Sequence, residues 1–185
     1  MSFAVQQMKD GPALSSIAKE LKELWRRSIA VASICQVVAR RTKVKPDEAF
    51  LTGLLHGIGH LYIMAHAVGK FASLTSDAEC AELVAGWHPS IGKAVLENWR
   101  ASEAMAEAVG EQSNHDRARN HEPDLTDVLV VSIVLADFLG QETPEPTSWG
   151  GVTSFRNIGL TQEECGIALR NAQYQLTSLQ EVLGA

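Results

Sequence analysis

Between Phe50 and Leu61 the chain is apolar and helix-compatible, yet it carries Gly53, Gly57 and Gly59 together with His56 and His60. A glycine inside a helix costs about 1 kcal/mol relative to alanine. Three within one short segment therefore imply a very close helix–helix crossing or a site. The histidines can be satisfied polar groups of such a crossing or side chains presented to a ligand. Taken alone, the stretch favours the crossing.

The flanking sequence has helical periodicity throughout. Pro12 suits a first turn, and apolar residues recur at Leu14, Ile17, Leu21, Leu24, Trp25, Ile29, Ala32, Cys35 and Val38, ending at the polar run from Arg40 to Lys45. Pro46, Asp47 and Glu48 open the helix that carries His56, with acids where the helix dipole favours them. Ser76 and Glu79 have capping-box spacing for a short helix to Gly86, and His88-Pro89 opens another with Ile91, Ala94, Val95 and Trp99 on one side. Ser102 caps a helix to about Gln112, and the segment from Asn114 to Asp124 reads as a polar loop. Leu125 to Leu139 is strongly apolar, with Gly140 as its C-cap. Asp137, inside that run, is expected to be at least partly buried and to need a cation, a metal or several donors. Gln141 to Asn157 reads as irregular, and Thr161 with Glu164 caps a closing helix to about Leu183. Nothing alternates with period two for long. The expected fold is all-α, one globular multi-helix bundle.

With 185 residues the chain is long enough for one cored domain. A net charge of −6 argues against a nucleic-acid partner, although Arg26, Arg27, Arg40, Arg41, Lys43 and Lys45 form a local basic set. Cys35, Cys80 and Cys165 lack metal-site or disulfide spacing and read as reduced thiols of a cytoplasmic protein. No apolar run reaches the roughly 18 residues of a membrane span, and the N-terminus lacks a signal-peptide pattern.

In a bundle, His56, His88, His115 and Asp137 lie on separate elements and could converge, and imidazole with carboxylate suits a divalent transition metal. His56 and His60 have the i, i+4 spacing of the zinc-protease helix, but Gly57 stands where its general-base glutamate must be. Ser28, Ser90 and Ser132 lack a nucleophile elbow, and Gly53, Gly57 and Gly59 follow no strand that would make a phosphate-cradling loop. Trp25, Trp87 and Trp99 read as core anchors, whereas Trp149, in a loop between Ser148 and Gly150, reads as an anchor for a partner.

Three blocks together resemble the HDOD domain: Leu24-Trp25-Arg26-Arg27-Ser28, then Ala49 through Gly59, then His88-Pro89-Ser90-Ile91-Gly92 followed by Trp99. The resemblance extends through Asp137 to Gly159-Leu160-Thr161, roughly from Leu21 to the C-terminus. It implies an HD-like helical domain over residues 21–185, with residues 1–20 an extension or helix start, and the family's N-terminal helical portion has no counterpart here. HDOD domains are a degenerate branch of the HD superfamily, whose active members are metal-dependent phosphohydrolases. There a first-helix histidine, an adjacent His-Asp pair and a distal aspartate hold the metal. This chain departs from that pattern, with Arg27 at the first-helix position and His56-Gly57 in place of the pair. His115-Asp116 repeats the letters of the pair at the wrong point in the order.

The resemblance thus implies a non-catalytic bacterial signalling module with no catalytic residue and no cofactor. Its degenerate cluster would comprise Arg27, His56, Gly57, His88, His115 and Asp137. Beyond the resemblance, an acid in an apolar helix and an arginine at a lost ligand position predict that Arg27 pairs with Asp137 or sits close to it, supplying the charge a metal would have supplied. The module's partners would be signalling proteins or a nucleotide, the latter contacted through Arg26 and Arg27. A homodimer is the other partner weighed, with the last helix and the segment from Gln141 to Asn157 as contact regions. The alternative is a residual phosphohydrolase or phosphodiesterase acting on a nucleotide, with a divalent metal on His56, His88, His115 and Asp137.

Overall fold

The structure, a computed structural model, describes residues 12–67, 77–117, 122–141, 149 and 151–183. These residues form α1 (Pro12–Ala39), α2 (Pro46–Leu55), α3 (Ile58–Ala67), α4 (Asp77–Asn98), α5 (Glu103–Gly110), α6 (Leu125–Ala136), α7 (Thr153–Ile158) and α8 (Gln162–Leu183), with no strand among them. The all-α bundle is as expected. No helix among the described residues is long and apolar enough to cross a membrane.

The bundle is built around α1 and α6. From Ser28 onward α1 is buried except at Gln36 and Val37, which are partly covered, with Val31, Ile34, Cys35 and Val38 at its centre, and it packs against α2, α6 and α8. Helix α6 has Val128, Leu129, Val131 and Leu135 fully buried, which is why its sequence is apolar on nearly every side. Burial also pushes the Cys35 thiol up to about 12, so it packs as a small apolar group. The closing helix is capped as its sequence predicts: Thr161 Oγ1 accepts from Glu164 N at 3.3 Å, and Glu164 Oε2 from Thr161 N at 2.9 Å.

Several expectations need correcting. The helix carrying His56 is broken: α2 ends at Leu55, His56 and Gly57 form a turn, and α3 begins at Ile58. Gly59 supplies the reason for its own presence, since a Cβ there would lie 1.9 Å from the His88 carbonyl oxygen. Helix α4 is one helix running through Pro89, so His88-Pro89 starts nothing. Among its described side chains Pro89, Gly92 and Leu96 are buried, while Ala94 and, just past the helix end, Trp99 are exposed. Ser76 lies outside the described residues. The segment from Gln141 to Asn157, expected to be irregular, contains the start of α7, closed by Gly159 at φ 71°. Helix α6 stops at Ala136, and Gly140 (φ 78°) lies beyond a further turn.

The tryptophans reverse their expected roles. Trp149 is buried and stacks on Phe155 with ring centroids 4.3 Å apart. Trp25, Trp87 and Trp99 are more than half exposed. Helical position alone cannot separate the two cases, because a large ring at the end of a buried stripe can overhang it.

Candidate functional site

The turn between α2 and α3 brings His56 to the side of α1. Its ring is buried, and Nδ1 lies 2.7 Å from the Gly53 carbonyl oxygen. A carbonyl can only accept, so Nδ1 carries the proton and Nε2 keeps its lone pair. Gln112 Nε2 donates to the His56 carbonyl at 3.1 Å and to the Val109 carbonyl at 2.8 Å, tying the turn to the end of α5. Burial pushes His56 down to about 4; the hydrogen bond to Gly53 opposes that, and the nearby charges of Arg27 and His88 add to it. The imidazole is therefore neutral across the physiological range.

His88 reaches the same place from α4, where the Gly59 crossing holds α3 and α4 together. Its ring lies 6.3 Å from that of His60, and its buried Nδ1 has no partner among the described residues. Both histidines titrate below their ordinary value, chiefly through burial; the field of Glu20 partly offsets this at His60. Gly57 fits beneath Leu24 and Ser28 of α1: a Cβ there would meet Leu24 Cδ1 at 2.8 Å and Ser28 Oγ at 3.5 Å.

Arg27 Nη1 donates to Asp137 Oδ1 at 2.6 Å, an ion pair between residues 110 apart in sequence. The pairing is as anticipated, but its environment is not. Asp137 ends α6 as its C-cap and its side chain is 57% exposed, so it is not the buried acid its apolar neighbours suggest. Arg26 is exposed.

The buried acid is Asp127, at the start of α6, which is fully inaccessible. It completes a capping box with Asp124 and accepts from Ser154 Oγ at 2.6 Å, and Arg117 Nη1 lies 3.0 Å from it. Arg117 also grips both oxygens of Asp124, at 2.6 and 2.7 Å, and those bonds hold its protonated form more firmly than usual. This network joins Arg117, α6 and α7. Sequence reasoning missed it, although the Asp124/Asp127 spacing is a readable capping signal.

His115 does not join the histidine cluster. Its side chain is exposed, and its carbonyl accepts from Thr153 N at 3.0 Å and Thr153 Oγ1 at 2.8 Å. The structure thus gathers Arg27, His56, Gly57, His60 and His88, with Asp137 held at the edge by Arg27.

The donors do not fit a hydrolytic divalent metal. Among the described residues no three His, Cys, Asp or Glu side chains are grouped to hold an ion. The carboxylate closest to the role is engaged by a guanidinium whose charge opposes a cation beside His56. The basic set is also partly neutralised: Arg41 pairs with Glu164 at 3.0 Å and Lys43 with Glu122 at 2.6 Å.

A helical bundle with a buried histidine at an interrupted helix, facing a first-helix arginine, has the architecture of the HD-like class. The chain belongs to the HDOD domain family, whose model matches residues 1–115, more than half of its length. That match includes Arg27, His56 and His88 and ends at His115, before Asp137.

Two solved structures from Shewanella amazonensis SB2B share the fold. One, a candidate metal-dependent phosphohydrolase, is 22% identical with a TM-score of 0.66, over 86% of this chain and 59% of its own. The other, a candidate phosphohydrolase, is 22% identical with a TM-score of 0.55, over 83% of this chain and 63% of its own. The chain thus spans about six-tenths of their length. No curated protein matches it.

Proposed function

We propose that this chain is a non-catalytic module of bacterial signal transduction that works by binding a protein or small ligand through a degenerate HD-type site. The observation that carries this reading is the Arg27–Asp137 pair beside His56-Gly57. Metal-assisted phosphoryl chemistry needs an ion that polarises the phosphate and lowers the pKa of a bound water. Here a guanidinium supplies the positive charge instead, permanently and without an open coordination position. A glycine, wedged under Leu24, stands where a carboxylate would be needed. His56 still keeps a lone pair at Nε2, so the site retains hydrogen-bonding capacity, and with its pKa pushed down to about 4 the ring is a weak base toward water.

The alternative is a residual phosphohydrolase, supported by the description of the two fold relatives and by His56 and His88 lying close enough for one to feel the other's charge. A turnover assay separates the readings. The protein is incubated with Mn2+ or Fe2+ and the chromogenic diester bis(p-nitrophenyl) phosphate. The module reading predicts release no faster than with His56→Ala; release that depends on metal and on His56 would establish the hydrolase.

A further inference from the structure

From Lys19 to Arg27 the side chains of the first helix are exposed, apart from the half-buried Leu24. Leu24 rests over Gly57, and Glu20 lies in the field of His60, so α3 runs antiparallel beside one flank of α1. Residues four apart share a helix face, which aligns Leu21 and Trp25 on the flank α3 leaves open. They are 39% and 54% exposed, and Leu61, one turn beyond Gly57 on α3, is 39% exposed. The result is an apolar strip along the seam of two helices. Lys19, Lys22 and Arg26, spaced i, i+3 and i+7, form a parallel line on the side of Trp25 away from α3. All three are exposed, and among the described residues their one ion pair is a 3.9 Å contact of Lys19 with Glu23.

We infer that this strip docks an acidic amphipathic helix of a partner protein, its apolar side chains over Leu21, Trp25 and Leu61 and its carboxylates against Lys19, Lys22 and Arg26. The inference rests on the reading of the chain as an interaction module. Tryptophan and arginine are the residue types that most often carry interface energy, and a ridge of apolar side chains with a charged rim is how helices are captured in grooves. Charge decides the occupant. The chain as a whole carries −6, so this local basic line steers an acidic partner here and away from the rest of the surface. The same net charge repels an anionic membrane.

The test uses two labelled synthetic helical peptides with one leucine pattern, one with glutamate and one with lysine at the polar positions, titrated by fluorescence anisotropy. The glutamate peptide should bind at least about tenfold more tightly than the lysine peptide. Trp25→Ala should weaken that binding about tenfold or more, and the double variant Lys22→Glu/Arg26→Glu should reverse the preference. These residues are exposed, so thermal melts of the variants should match the parent protein. No binding of the glutamate peptide, no preference between peptides, or indifference to Trp25→Ala would overturn the inference. So would tighter, Trp25-dependent binding to phosphatidylserine vesicles. None of these results bears on metal-dependent turnover, so the two proposals fail separately.

Discussion

Asp127 and Asp137 stand in the same apolar run, and their fates differ because of what faces them. Asp127 is sealed from solvent and answered by Ser154, Arg117 and the capping box with Asp124. Asp137 reaches Arg27 at the surface end of the same helix. A fully buried charge that loses its partners costs about 3–5 kcal/mol, whereas an exposed ion pair is worth about 1 kcal/mol or less. Chemical denaturation should therefore show Arg117→Met, which removes the cation facing the buried Asp127, to be severely destabilising. Arg27→Ala, Asp137→Ala and their double mutant should each stay within about 1 kcal/mol of the parent. A large loss at Asp137 would mean that the pair is structural after all. Sequence made the existence of an acid in an apolar helix legible, but not which acid was buried, because that depends on where tertiary packing sets Arg117 and Ser154 of α7.

His56 adds a pH dependence at the same scale. Its folded-state value, about 4, lies below the ordinary 6.5, so the fold favours the neutral ring. That stabilisation is complete above about pH 6.5 and is lost as pH falls through the window toward 4. A shift of this size corresponds to roughly 3 kcal/mol at most. His60 and His88, also lowered, act with the same sign. Urea titrations at pH 7 and pH 4.5 should show the parent losing stability on acidification, and His56→Gln losing measurably less. Equal losses in both would assign the effect elsewhere.

At the level of elements, the glycine-rich stretch reported a crossing correctly and concealed a break. Gly59 is required by backbone from another helix: its Cβ would meet the His88 carbonyl oxygen at 1.9 Å and Gly92 N at 2.7 Å. Neither atom can move without the helix, so Gly59→Ala should cost about 1–3 kcal/mol or more by overpacking. It should also perturb His60 and His88, visible as shifted histidine resonances. Arg100 offers the opposite case. It follows α4 at φ 59°, a left-handed conformation that costs a non-glycine residue roughly 1 kcal/mol. Arg100→Gly should recover about that amount in a thermal melt; a loss instead would show that the arginine side chain makes a compensating contact. The continuity of α4 through Pro89 was not legible either, since a proline marks a probable boundary and only the packing of Pro89, Gly92 and Leu96 overrides it.

For the whole molecule, the helical class followed from periodicity, and the HDOD membership from three blocks of residues in one order. The separation of His115 from His56 did not follow, because convergence in a bundle is a property of loops rather than of period. What the fold brings together is a set of neutral imidazoles beside a guanidinium–carboxylate pair. We propose that this pair has taken the place of a metal. Elemental analysis of the unchelated protein, purified and then soaked in Mn2+ or Fe2+ and desalted, tests it most directly. Metal far below one ion per chain, with no difference from His56→Ala, is the expected result. A near-stoichiometric ion that His56→Ala removes would contradict it.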